Sequence, residues 1–214
     1  MIGKVLIILG GNSTLIDKFL QTKIEKKYQK IIIISHREYK GFSKHKIIDF
    51  LDPALLENTL KNILSDNSFE YDLIISNTPP QNANFNIKKT LDWGMSSIKV
   101  MKMQSINDKF KKIIFTGSCL PLLPIYHKSF YKELKYSEIN TYIKLDNKYY
   151  QNFTYIILPP LKLSNHKFSF IYDTYENWAY ILKKELGLNN RIVYPKGIVG
   201  FVTKILFFIR FRQL

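Results

Sequence analysis

Short apolar runs alternate with stretches of helical periodicity along almost the whole chain, and this alternation limits the fold more than any other feature. The runs are KVLIILG (4–10), KIIIISHR (30–37), HKIIDFLD (45–52), YDLIISNTPP (71–80), KKIIFTGS (111–118) and FTYIILPP (153–160), with RIVYP (191–195) as a seventh. Most are apolar at successive positions rather than at alternate ones. Strands of that kind are covered on both faces, as in parallel sheets. Residues 13–27, 53–66, 86–109, 129–149 and 174–186 read as helices, the last capped by Asp173 or Thr174 and ended by Gly187. The expected fold class is α/β, a doubly wound parallel sheet with right-handed crossovers.

The 214 residues suffice for one domain with a sizeable core. Residues 1–196 form that domain in this reading, and 197–214 are an apolar, basic tail of the same domain. No stretch rich in Pro, Gly or Ser separates two units. Cys119 is the single cysteine, which excludes an internal disulfide and fits a reducing, cytoplasmic setting. The opening MIGKVLIILGGNS reads as a buried first strand, because its apolar run is short and no A-x-A-like cleavage site follows. The net charge of +15 raises nucleic acid as a partner. The charge is scattered rather than gathered into a stripe with interleaved aromatics, so nucleic acid is not the expected partner.

Ligands of doubly wound sheets bind beyond the carboxyl ends of the strands, so the residues after each run carry the functional information. After the first comes LGGNSTLIDKF: Gly10 and Gly11 allow a tight turn, and Asn12, Ser13 or Thr14 can cap the next helix, whose N-terminus suits a phosphate. The glycine fingerprint G-x-x-x-G-x-G is incomplete, with Thr14 and Ile16 at the later glycine places. Ser35-His36-Arg37 ends the second run. An acid there would hold a ribose 2′-OH; the basic Arg37 suits a 2′-phosphate instead and favours NADP over NAD. Asp49-Phe50 can receive an adenine amino group and wall its ring, and the turn Ser76-Asn77-Thr78-Pro79-Pro80 can line a ribose.

Ser118 ends the fifth run, and Tyr131 stands 13 residues further on, with Lys135 four after it. Residues four apart share a helix face. An ammonium beside a phenol favours phenolate, which makes Tyr131 a usable acid or base toward an alcohol or carbonyl. Ser118 can hydrogen-bond the same substrate oxygen.

This set resembles the short-chain dehydrogenase/reductase family, in residue types, in spacing and in its place after the fifth strand. LPPLKLS (158–164) resembles the family's P-G-x-x-x-T segment, with Pro159 kept, Pro160 in place of Gly and Ser164 in place of Thr. SNTPP resembles its N-A-G turn through Asn77, and Asp49-Phe50 its adenine contact. The resemblance covers roughly residues 4 to 195 and implies a Rossmann-like fold with NADP or NAD as cofactor. It implies that Tyr131 exchanges a proton with the substrate oxygen. Lys135 would lower the Tyr131 pKa and bind the nicotinamide ribose, while Ser118 would orient the substrate. Gly10, Asn12, Ser13, Arg37, Asp49, Phe50, Asn77, Pro159 and Ser164 would then face the cofactor. A homo-oligomer is the expected assembly. The family's helix Asn has no clear counterpart; Trp93 and Gly94 lie near its place. A non-catalytic binding or scaffold protein on the same fold stays open beside the enzyme.

The tail GIVGFVTKILFFIRFRQL is too short in its unbroken apolar part for a spanning helix, which needs about 20 residues. It reads either as a helix docked on its own domain or a second subunit, or as a basic, aromatic-rich helix lying in a membrane interface. Similar tails occur in relatives that act on hydrophobic substrates. The expected substrate is accordingly a sugar or lipid-linked carbonyl of cell-envelope polysaccharide synthesis. Metal binding is not expected, because the four His are scattered. Cys119 reads as a buried strand-end residue, and Tyr126 as a poor rival to Tyr131, since Phe130 and not Lys stands four residues after it.

Overall fold

The computed structural model describes residues 2–10, 13–35, 45–47, 53–76, 102–103, 106, 108–119, 121–123, 130–146, 152–162 and 173–211. Its strands are β1 (Gly3–Leu9), β2 (Lys30–Ser35), β3 (His45–Ile47), β4 (Phe69–Ile75), β5 (Phe110–Ser118), β6 (Phe153–Leu158), β7 (Leu161–Lys162), β8 (Asp173–Thr174) and β9 (Ile192–Val193). Its helices are α1 (Thr14–Leu20), α2 (Pro53–Leu64), α3 (Phe130–Asp146), α4 (Tyr175–Glu185) and α5 (Gly197–Arg210). Seven strands form one sheet in the order β3-β2-β1-β4-β5-β6-β9, with every pairing parallel. β7 and β8 form a separate parallel pair.

The apolar runs are continuous because the sheet is covered on both faces. Val5, Ile7 and Leu9 of β1 point into one layer, with Leu56, Leu60 and Leu64 of α2, Ile139 and Tyr142 of α3, and Phe207 of α5. Leu6 and Ile8 point into the other, with Leu15, Ile16 and Phe19 of α1 and Trp178, Ala179 and Leu182 of α4. Period-two side chains on a strand thus feed two helical layers.

The helix expected over 13–27 stops at Leu20. The Thr22 hydroxyl donates to the Phe19 carbonyl at 2.6 Å, which satisfies an acceptor the helix end leaves open. Lys23 then adopts a left-handed conformation, φ 59°, and a 3₁₀ turn follows over Ile24–Lys26. The last expected helix is capped by Thr174, whose hydroxyl accepts from the Asn177 amide at 3.2 Å. The helix expected over 86–109 lies almost wholly outside the described residues.

A buried polar pair ties the amino ends of the strands. The Tyr28 hydroxyl donates to Asp72 Oδ2 at 2.6 Å. Burial lifts the Asp72 carboxyl above the usual carboxylate range, against the Tyr28 hydrogen bond and the charges of Lys4 and Lys27 that favour ionisation. The folded chain therefore holds the Asp72 proton more tightly than the unfolded one. Stability through this group is full below the unfolded value of about 3.9 and falls as pH rises through the raised folded value. Asp72→Asn should remove that slope. Urea midpoints of wild type minus Asp72→Asn should fall from about pH 4 upward, and a flat difference would show that Asp72 titrates alike in both states.

Candidate active site at the carboxyl edge of the sheet

The strand order reverses at β1, whose neighbours are β2 and β4, and a crevice opens at such a switch point beyond the carboxyl ends. Gly10 closes β1 with φ 84°, a conformation that favours glycine, and its amide donates to the Ile34 carbonyl at 2.9 Å. The Ser76 amide at the end of β4 donates to Leu9 at 2.9 Å. Leu9, Ile75 and Phe115 are level across β1, β4 and β5. β5 runs on past them to Ser118, which pairs with Leu158 of β6. Ser118 is buried at the carboxyl end of β5.

Thr14 and Ile16 stand at the later glycine places of the fingerprint. Ile16 is wholly buried among the sheet and α4 residues, so its bulk lies in the core rather than in the turn. A glycine there serves close helix–strand packing, and Ile16 fills that space instead. Thr14 is exposed at the start of α1. Ser13 caps α1, its hydroxyl accepting from the Ile16 amide at 3.2 Å, which commits that oxygen to the helix.

α3 links β5 to the parallel β6, so its first turn, with Tyr131, stands at the carboxyl end of the sheet. The Tyr131 side chain lies outside the described residues. Lys135, one turn on, is buried, with Nζ 2.8 Å from Glu138 Oε2 and 5.8 Å from the Phe115 ring centroid. Glu138 is 0% exposed. Burial pushes its carboxyl up, and the Lys135 charge and hydrogen bond only partly offset this. Glu138 is the residue that sequence reasoning missed. Its signal was the spacing Lys135, Glu138, Ile139, Tyr142, which is one helix face turned toward the sheet. An ammonium has three donors, of which Glu138 takes one. Glu138 also reduces the net field that Lys135 exerts on a phenol one turn away.

Pro159 follows β6 and is buried. Pro160 accepts the Asp173 amide at 3.1 Å. Asn12, Arg37, Asp49, Phe50, Asn77 and Ser164 lie outside the described residues. Cys119 is buried, and burial raises its thiol to about 12, far from the thiolate a nucleophile needs. A shallow depression of about 180 Å³ between Lys61, Leu64, Asn67, Ile106 and Lys109 lies at the opposite end of the sheet, too small for a dinucleotide.

The parallel sheet in the order β3-β2-β1-β4-β5-β6-β9, with helices on both faces, is similar to that of solved structures. A short-chain dehydrogenase from Burkholderia cenocepacia in complex with NADP superposes with a TM-score of 0.73 at 12% identity, over 99% of this chain and 94% of that one. The fold is that of the short-chain dehydrogenases. A second short-chain dehydrogenase, from Streptomyces avermitilis, gives a TM-score of 0.70 at 9% identity, over 97% of this chain and 93% of the other. A 4-hydroxyisoleucine dehydrogenase complexed with NADH gives 0.61 at 17% identity, over 89% and 96%. No family model and no curated protein matches the sequence. At these identities the likeness to the short-chain dehydrogenases is one of fold.

Proposed function

We propose that this chain is an NAD(P)-dependent oxidoreductase acting on a carbonyl or alcohol. The observation that carries the reading is the fold, whose solved examples include complexes with NADP and NADH; Ser118 at the end of β5 and the spacing of Tyr131 and Lys135 on α3 support it. The nicotinamide cofactor supplies or accepts the hydride. Gly10 and the start of α1 hold its phosphates, with Asn12, Ser13, Arg37, Asp49, Phe50, Asn77, Pro159 and Ser164 as further contacts. Arg37 favours the 2′-phosphate of NADP. Tyr131 gives a proton to the substrate oxygen or takes one from it. Ser118 orients that oxygen, and Lys135 stabilises the phenolate and meets the nicotinamide ribose. The basic, apolar tail supports a sugar or lipid-linked carbonyl as substrate.

One observation favours a second reading, a non-catalytic scaffold on the same fold: Glu138 neutralises the lysine the chemistry needs. Calorimetric titration with NADPH and NADH separates the two. Under the oxidoreductase reading wild type and Tyr131→Phe both bind cofactor at micromolar levels. Turnover across a panel of sugar and lipid-linked carbonyls then falls by about 10²-fold or more in the variant, the scale of a lost general acid. Folded protein that binds neither cofactor would leave the scaffold.

A further inference from the structure

α5 is apolar on two opposite sides. Gly200, Thr203 and Phe207 are buried against the domain. Phe207 meets the Tyr194 ring edge-on at 5.9 Å, and a Cβ on Gly200 would stand 1.6 Å from the Pro195 carbonyl oxygen, so the helix is seated closely. Arg210 donates to the Pro121 carbonyl at 2.9 Å, tying the far end of α5 to the loop beyond Ser118. The opposite side is bare. Ile198, Phe201, Ile205 and Phe208 succeed one another at intervals of three, four and three, with Val202 and Ile209 beside them, and all six are exposed. Phe201 is 68% exposed and Phe208 64%. A contiguous apolar patch of this kind marks a contact surface.

We propose that this outer face of α5 seats the protein on an anionic lipid surface. Charge chooses the occupant. No Asp or Glu follows Glu185, whereas Arg191, Lys196, Lys204, Arg210 and Arg212 do. Two copies meeting on this face would bring Lys196, Lys204 and Arg210, of the helix and its cap, toward one another with no carboxylate on the same helix to receive them. One face of a 14-residue helix, about 21 Å by 10 Å, is also well below the ~800 Å² per partner of a standard protein interface. A bilayer needs no matching surface: Phe and Ile sides sink into the acyl boundary while flanking cations meet headgroup phosphates. Among the described residues no helix is long and apolar enough to cross a membrane, so α5 lies on the surface. Through Arg210 and Pro121 the carboxyl edge of the sheet is then held beside the lipid. The proposal does not depend on the oxidoreductase reading, since lipid binding is measured without cofactor.

The test is co-sedimentation of the full chain with phosphatidylcholine vesicles, with and without phosphatidylglycerol, beside the double variant Phe201→Ser/Phe208→Ser. Both phenylalanines are exposed, so circular dichroism should show the variant folded. The expected result is binding to the anionic vesicles that weakens at high salt and drops about tenfold or more in the variant. Undiminished binding by the variant would overturn the proposal in favour of diffuse adsorption by the +15 surface. Absence of vesicle binding, together with a dimer in sedimentation equilibrium that the variant dissolves, would overturn it in favour of a second copy.

Discussion

Lys135→Met is expected to cost the chain about 3–5 kcal/mol, the scale on which removing one member of a buried ion pair strands the other. Lys135 and Glu138 side chains are 3% and 0% exposed, so water cannot take over the role of the missing ammonium. Glu138 already titrates high because of its burial; without Lys135 it titrates higher still. The folded variant then keeps a proton that the unfolded chain releases above about pH 4.3. Its stability is accordingly greatest below that pH and falls as pH rises through the raised Glu138 value. Lys135→Met/Glu138→Leu removes both charges, and replacing a buried pair by apolar groups is often neutral or stabilising. Urea unfolding of wild type, both singles and the double should therefore show the double recovering most of the loss. A Lys135→Met that costs under about 1 kcal/mol, or costs the same at all pH values, would mean the pair is solvated in solution. The double also separates stability from function. If it folds but binds neither NADPH nor NADH while wild type binds, Lys135 meets the cofactor as proposed.

The sheet was readable because its strands are apolar at successive positions. Residues 5 to 9 of β1 leave no polar side for solvent, and the structure sends them alternately into two helical layers. The cap of α4 was readable as Asp173 or Thr174 from its place before the periodic stretch, and the hydrogen bond from the Asn177 amide decides for Thr174. The end of α1 was not, because no glycine or proline marks it; a hydroxyl–carbonyl bond at Thr22 and a left-handed lysine do. The β7–β8 pair was not readable either. Two residues against two, from segments ten residues apart, carry no periodic signal, and only tertiary contact brings them together. In the site, sequence spacing singles out Ser118, Tyr131 and Lys135 as one set; the structure describes Ser118 at the end of β5 and Lys135 on α3, and the Tyr131 side chain lies outside the described residues. Glu138 escaped because a surface glutamate and a buried one look alike until the apolar spacing of Ile139 and Tyr142 is set beside it. The tail's composition left domain docking and membrane contact as alternatives, and the burial of Gly200, Thr203 and Phe207 shows one side docked on the domain.

Gly117→Ala is the other change of large expected effect, and it acts one residue before Ser118. A Cβ at 117 would stand 1.9 Å from the Tyr155 hydroxyl oxygen and 2.2 Å from its Cζ. The Tyr155 ring has no room to retreat: it is wholly buried, stacked on Phe115 at 5.4 Å and against Tyr142 at 4.9 Å. Either β5 bends away from β6 or the aromatic stack opens, and the cost is expected at or above about 3 kcal/mol, the upper end for overpacking. Bending β5 also displaces Ser118, so any turnover should fall further than the unfolded fraction explains. Trimming the hydroxyl alone, as Tyr155→Phe does, leaves the ring carbon in the way and should rescue little. Tyr155→Leu takes away the clashing atoms and costs about 2–5 kcal/mol by itself through the cavity it leaves. Combined with Gly117→Ala it should be better than the sum of the singles by about 1–3 kcal/mol, the coupling expected of residues in direct contact. Urea unfolding of the four proteins measures that coupling. Additive losses would mean that β5 and β6 yield at Gly117 independently of the Tyr155 ring.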